Sequence, residues 1–128
     1  MIEIKKLPED RWVDYRDLRL VSLKNEPIAF GSAYEEETIL PDEEWIKRTK
    51  NTLFALINDK PVGMITCISN NRLKTKHVAN IYGFYVRREY RGQGIGEILL
   101  EGAISLIKMN ENIVKISLNV NPKQLAAV

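Results

Sequence analysis

Gly92, Gly94 and Gly96, spaced by single residues, constrain this chain more than any other feature. They lie in Arg91-Gly92-Gln93-Gly94-Ile95-Gly96, between a stretch that reads as a strand (residues 77–86) and one that reads as a helix (residues 95–109). Glycine at such a junction permits backbone angles closed to other residues and lets a ligand approach the main chain. The helix after the turn opens with N–H groups lacking intrahelical partners and with the positive end of its dipole. Strand, glycine turn and helix together predict a cradle for a phosphate or pyrophosphate, and so a phosphate-bearing ligand. The dinucleotide-binding fingerprint Gly-x-Gly-x-x-Gly does not fit, because Glu97 stands where its third glycine belongs. Nor is this the loop after the first strand, where that fingerprint sits. Glycines before a helix are often only turn punctuation, but this density between a strand and a helix argues for a ligand.

The rest of the chain predicts an α+β domain. Ile2 and Ile4 alternate with Glu3 and Lys5 as a short strand over residues 2–6. Pro8-Glu9-Asp10 starts a helix whose buried stripe is Trp12, Tyr15, Leu18 and Val21, ended by Asn25-Glu26-Pro27. Residues 28–40 lack periodicity and read as a loop. Pro41-Asp42-Glu43-Glu44 opens a second helix with Trp45 and Ile46 on its apolar side. Residues 53–57 and 62–69 are strands joined by Asn58-Asp59-Lys60-Pro61 at hairpin spacing, and Gly63 marks a bulge or a close approach. After a polar connection (70–76) comes the aromatic-rich strand before the glycine loop, with Tyr82, Phe84 and Tyr85. The helix after the loop carries Ile98, Leu99, Ala103, Leu106 and Ile107, with Asn110 as its C-cap. Val114, Ile116, Leu118 and Val120 define a last strand, and residues 124–128 read as the first turn of another helix. The order β-α-α-β-β-β-α-β implies helices flanking a mixed sheet.

At 128 residues the chain is a single domain. Its net charge of +2 supplies no basic field for nucleic acid, although Arg72, Lys74, Lys76, Arg87 and Arg88 cluster in sequence. No apolar run approaches the length of a membrane span. One cysteine, Cys67, and one histidine, His77, exclude an internal disulfide and leave no convincing metal centre. With no long apolar stretch near Met1, these features fit a reducing cytoplasm. Cys67 sits in an apolar strand and is expected to be an inert core residue. His77 is expected to be an exposed polar residue.

The motif Arg/Gln-x-x-Gly-x-Gly/Ala between a strand and a helix resembles the acetyl-CoA-binding signature of the Gcn5-related N-acetyltransferases (GNAT). Here it is Arg91 to Gly96, preceded by Tyr85-Val86-Arg87-Arg88-Glu89-Tyr90, a lead-in similar to that family's. The element order is similar too, so the resemblance covers essentially the whole chain. It implies a GNAT-like acyl-CoA N-acyltransferase fold, a mixed but mostly antiparallel sheet in three layers, and acetyl-CoA as cofactor. Arg91, Gly92, Gln93, Gly94, Ile95 and Gly96 would cradle the pyrophosphate of coenzyme A through backbone N–H groups. Phe84, Tyr85 and Val86 would pair with the pantetheine arm as with an added strand. The N–H of one of these strand residues would stabilise the oxyanion. Arg87 and Arg88 are read either as phosphate contacts or as solvated side chains.

The resemblance further implies direct transfer of acetyl to a primary amine, of a small molecule or a protein. An alkylammonium must first lose a proton. Family members often use a glutamate on the fourth strand. This strand offers only Asn80 and Tyr82, so a water chain ending on backbone carbonyls is an equal candidate. The family pattern continues after the last strand as Asn-x-x-Ala-x-x-Leu-Tyr and two further strands. Residues 120–127 fit its opening, with Gln124 where asparagine is usual, and the thiolate-protonating tyrosine would fall just past Val128. The expectation is therefore a C-terminally truncated domain whose last strand offers an unpaired edge, covered by dimerisation or by missing chain. A non-catalytic coenzyme A-binding module is the alternative. The acids Glu35, Glu36, Glu37, Asp42, Glu43 and Glu44 are read either as a lure for a cationic amine or as a solvated loop and helix start. Phe30, Tyr34 and Trp45 flank them as candidate cleft residues.

Overall fold

The computed structural model describes residues 2–25, 34–69, 78–109 and 115–118. It contains a five-stranded sheet in the order β1-β2-β3-β4-β5, formed by Ile2–Lys6, Thr52–Ile57, Lys60–Ser69, Val78–Val86 and Lys115–Leu118. The first four strands pair antiparallel with their neighbours, and β5 joins β4 parallel. That parallel step requires a crossover, which α4 (Ile95–Lys108) supplies. The sheet is therefore mixed and mostly antiparallel, as expected.

Strict alternation along β2 builds two cores. Leu53 and Ala55 face one side with Val62, Ile65, Ile81, Phe84 and Val86. Phe54 and Leu56 face the other with Leu7, Met64 and Tyr85. Onto the first side α4 lays Ile95, Leu99, Ala103 and Ile107, a four-residue repeat that keeps one stripe inward. The second side is covered by α1 (Trp12–Asn25) and α3 (Asp42–Lys50), through Tyr15, Leu18 and Trp45. Tyr15 meets Trp45 and Phe54 edge-on, at centroid distances of 5.8 and 6.0 Å.

Local chemistry explains the element ends. A 3-10 turn, Glu9–Arg11, precedes α1, so the helix itself begins at Trp12 rather than beside Pro8. Pro41 leads into α3 with Asp42, Glu43 and Glu44 in the first turn and Lys47, Arg48 and Lys50 in the last, complementing the dipole at both ends. Asn58 and Asp59 carry φ of 52° and 64°, the left-handed pair of a tight two-residue hairpin, so β3 resumes at Lys60 and not at Val62.

Some expectations are corrected. Residues 28–40 include a short helix, α2 (Tyr34–Glu37), because Glu37 turns inward to buried partners that composition does not reveal. The buried stripe of α1 is Tyr15, Leu18, Arg19, Ser22 and Leu23, whereas Trp12 and Val21 are only half-buried. Three-residue steps drift off a helical face, and the true stripe alternates threes and fours. Cys67 is half-buried rather than deep in the core. Asn110, Val114, Val120 and residues 121–128 lie outside the described residues, as do Phe30, His77, Arg72, Lys74 and Lys76.

Candidate functional site

Two bulges reset the alternation of the central strands and lead to the site. In β3, Ala55 pairs with Gly63 and Leu56 with Pro61, so Val62 is the extra residue. Val62 and Ile65 consequently face the same core although three positions apart. Gly63 beside it is a close approach: a Cβ there would lie 2.9 Å from Leu99 Cδ1 and 3.3 Å from the Tyr85 carbonyl oxygen. In β4 the register shifts between Tyr82, opposite Thr66, and Tyr85, opposite Met64. Gly83 sits in that shift with φ of 63°, and Ile81 and Phe84 share a face across it. A left-handed glycine in a bulge twists the strand and re-aims the residues after it.

Residues 84–86 come next. Phe84 and Val86 point into the core under α4, and Tyr85 into the core under α1 and α3. The described pairing of β5 with β4 covers Val78 to Ile81.

The strand end is braced by arginines. The Arg87 N–H donates to the Val62 carbonyl at 2.7 Å, and its Nε donates to the Pro61 carbonyl at 3.1 Å. The chain then makes a 3-10 turn, Arg88–Tyr90. Arg91 turns back, with Nε donating to the Val86 carbonyl at 2.9 Å and its guanidinium 5.5 Å from the centre of the Tyr85 ring. The Arg87 and Arg91 guanidinium groups thus fix the loop's stem.

Beyond Arg91, Gly92 and Gly94 have φ of 82° and 81°. Gly94 is the N-cap of α4 and has no side-chain cap. Among the described residues no backbone acceptor meets the N–H groups of residues 94–97. A Cβ on Gly92 or Gly94 would meet nothing within 4 Å. Left-handed backbone therefore demands glycine here, and the space above it is open. Ile95 and Gly96 are buried, while Gly92 and Gln93 are exposed. N–H groups without a backbone acceptor among the described residues, a helix N-terminus and open space at Gly92 and Gly94 fit a pyrophosphate, so the residues suit the cofactor the motif implies.

Asn80 is half-buried and lies between Ile68 of β3 and Ser117 of β5. The Tyr82 backbone pairs with Thr66, and its side chain is outside the described residues. Asn80 and Tyr82 are on the strand that reaches the glycine loop, but upstream of the Gly83 bulge.

The acidic run is not a single solvated patch. Glu37 is buried and accepts two parallel bonds from one guanidinium edge of Arg19, Nε to Oε1 and Nη2 to Oε2, each at 3.0 Å. Arg48 adds Nη1 to Oε1 at 3.0 Å and holds Glu44 through Nε at 2.9 Å. Burial lowers and the bond to Glu44 raises the Arg48 pKa, with a net rise. Glu35, Glu36, Asp42 and Glu43 remain exposed, Tyr34 is half-buried, and Trp45 is core. The departure from a uniformly solvated run has a physical source. A buried carboxylate needs paired cations, and those come from α1 and α3. The available signal was Arg19, an arginine on the inward stripe of a helix. Nothing in the acidic run singled out Glu37 as its partner.

The model of the family described as Acetyltransferase (GNAT) family matches residues 6–128. An uncharacterized N-acetyltransferase of Methanocaldococcus jannaschii is 33% identical over 85 residues, covering 62% of this chain and 38% of that protein. The chain thus spans well under half the length of that relative. A GNAT-family acetyltransferase from Streptococcus pneumoniae superposes with a TM-score of 0.82 at 20% identity, over 99% of this chain and 79% of that one. The PaiA N-acetyltransferase of Thermoplasma acidophilum, solved with coenzyme A, gives 0.75 at 18% identity, over 98% and 83%. An aminoglycoside acetyltransferase from an uncultured soil metagenomic sample, solved with sisomicin, gives 0.70 at 20% identity, over 95% and 79%. At these identities the solved structures establish the fold.

Proposed function

The chain belongs to the acetyltransferase (GNAT) family, and on that premise we propose that it moves an acetyl group from acetyl-CoA to a primary amine of a small molecule or protein. The observation that carries the proposal is the set of N–H groups of residues 94–97, which meet no backbone acceptor among the described residues, beside the left-handed Gly92 and Gly94. Bound there, acetyl-CoA would supply the activated thioester. Residues 91–96 hold the pyrophosphate through backbone N–H groups, with the α4 dipole adding to the field. Residues 84–86, turned by the Gly83 bulge, receive the pantetheine arm as an added strand and orient the acyl end beside β4.

The amine must arrive at β4 deprotonated, and an alkylammonium has a pKa of about 10. Val78–Val86 contains no carboxylate. Asn80 and Tyr82 would orient the amine and a water, and a water chain lined by backbone carbonyls would carry the ammonium proton to solvent. As the C–N bond forms and the C–S bond breaks, that water would protonate the departing coenzyme A thiolate. In this reading the enzyme works in the cytoplasm, and two copies pair through the outer edge of β5. A monomeric mass at micromolar concentration together with a cooperatively folded sheet would overturn the pairing.

The absence of a carboxylate from β4 also favours a second reading, a non-catalytic coenzyme A-binding module. Calorimetric titration with acetyl-CoA tests the shared part of both readings, and no saturable binding at millimolar cofactor would sink them together. Thiol release with a panel of primary amines separates them. Turnover supports the enzyme, and binding with no release across polyamines, aminoglycosides and peptide N-termini supports the module.

A further inference from the structure

We propose that the Arg19–Glu37 ion pair is a positioning device for the acyl end of the cofactor site, acting through the Gly83 bulge. The inference rests on the reading that residues 84–86 receive the pantetheine arm. Arg19 lies on the buried stripe of α1 at 8% exposure and Glu37 on α2 at 4%. A buried pair of this kind adds little stability over apolar packing, so its presence calls for another reason. Its position supplies one. A Cβ built on Gly83 would lie 3.5 Å from Arg19 Nη1 and 3.3 Å from Thr66 Oγ1. The guanidinium therefore packs onto the strand where a side chain would otherwise stand.

The polar chain continues on both sides. Thr66 shares a buried 2.8 Å hydrogen bond with Thr52, whose hydroxyl is also 2.8 Å from the Arg48 carbonyl oxygen. Arg48 in turn binds Glu37. Ser22 donates to the Arg19 carbonyl at 2.6 Å. Elements α1 and β3 thus meet at Gly83, whose left-handed backbone sets the direction of 84–86, and α2, α3 and β2 are tied to them through Glu37, Arg48 and Thr52. The planar fork of arginine gives two parallel bonds to the two carboxylate oxygens, a fixed geometry that an ammonium does not supply. Arg19 and Glu37 are positioning residues, because neither is placed against the reacting atoms.

The test compares two probes by calorimetry: acetyl-CoA, and the phosphoadenosine diphosphate fragment of coenzyme A, which reaches the glycine loop but lacks the arm. Arg19→Lys and Glu37→Gln are expected to weaken acetyl-CoA about fivefold, the loss of roughly one backbone hydrogen bond to the arm. The fragment should bind each variant as it binds the wild type. The paired change Arg19→Met with Glu37→Leu fills the space without charge and provides a folded comparison if the single variants do not fold. The same selective loss in that pair supports the proposal. Equal weakening of both probes, or no weakening of either, overturns it. Wild-type protein that binds the fragment as tightly as acetyl-CoA would instead overturn the placement of the arm on 84–86.

Discussion

Replacing Gly94 with alanine separates the backbone demand of the glycine loop from its ligand. In the free protein the new methyl enters open space, since nothing lies within 4 Å of that Cβ position. The cost to stability is therefore that of an L-residue at φ of 81°, about 1–2 kcal/mol. For a domain of this size that lowers the melting temperature by roughly 4–8 °C. Binding suffers more. The methyl enters the volume above the N–H groups of residues 94–97 and displaces an anion from them. Losing two charge-assisted hydrogen bonds, each worth about 1.5–3 kcal/mol, weakens acetyl-CoA by about a hundredfold or more. Gly102→Ala is the control. Its methyl would lie 3.0 Å from Leu53 Cδ2 on the sheet-facing side of α4, so crowding of about 1 kcal/mol offsets a similar gain in helix propensity. Scanning fluorimetry and calorimetry on the two variants give both quantities. The reasoning is refuted if Gly94→Ala loses the expected stability yet binds acetyl-CoA within about threefold of wild type.

Gly63 and Leu99 make a second pair. Gly63→Ala crowds Leu99 Cδ1 at 2.9 Å and costs about 1–3 kcal/mol, while Leu99→Ala opens the core and costs about 2–5 kcal/mol. The double variant should cost less than the sum in urea denaturation, because one methyl fills part of the other's cavity, and strict additivity would contradict the packing. The Cys67 thiol is pushed up by burial, against a smaller lowering by Lys6. Its folded pKa thus exceeds the unfolded one, so its contribution to stability is complete below the ordinary thiol range and is lost as pH rises through the folded value. Iodoacetamide at about pH 8 should alkylate Cys67 more slowly in native protein than in urea. Equal rates would remove the effect. Finally, kcat/KM should climb with pH toward the pKa of the amine, with no inflection near about 6–7. A neutral inflection abolished by His77→Gln would assign the base to histidine.

Much of the fold was legible because its signals were local. Ile2 and Ile4, the acids after Pro41, the Asn58-Asp59 turn and the glycine loop each declare their geometry within a few residues. The α4 stripe was legible in part, since Leu99, Ala103 and Ile107 are buried while Ile98 and Leu106 are exposed. Features that depended on distant partners were not legible. Glu37 looks like its neighbours Glu35 and Glu36 until Arg19 and Arg48 come to it from other helices. Arg87 reads as a phosphate contact or a solvated cation beside a glycine loop, and Arg91 as the first residue of the backbone cradle. Their Nε–H groups also reach the Pro61 and Val86 carbonyls, contacts invisible in the sequence, because the 3-10 turn folds the loop back on its own stem. The bulge at Gly83 was hidden for a related reason. An aromatic-rich run gives no parity, and only the facing of Ile81 and Phe84 toward one core exposes the extra residue.

The central claim is that the N–H groups at the start of α4 and the strand end at 84–86 form one cofactor cradle. Amide chemical shifts recorded during titration with coenzyme A test it most directly. The account predicts saturable shifts concentrated at residues 84–86 and 91–97, with those at 94–97 the largest, since hydrogen bonds to a pyrophosphate deshield the N–H donors. Saturable shifts confined to other parts of the sheet or to α1 and α3 would contradict it.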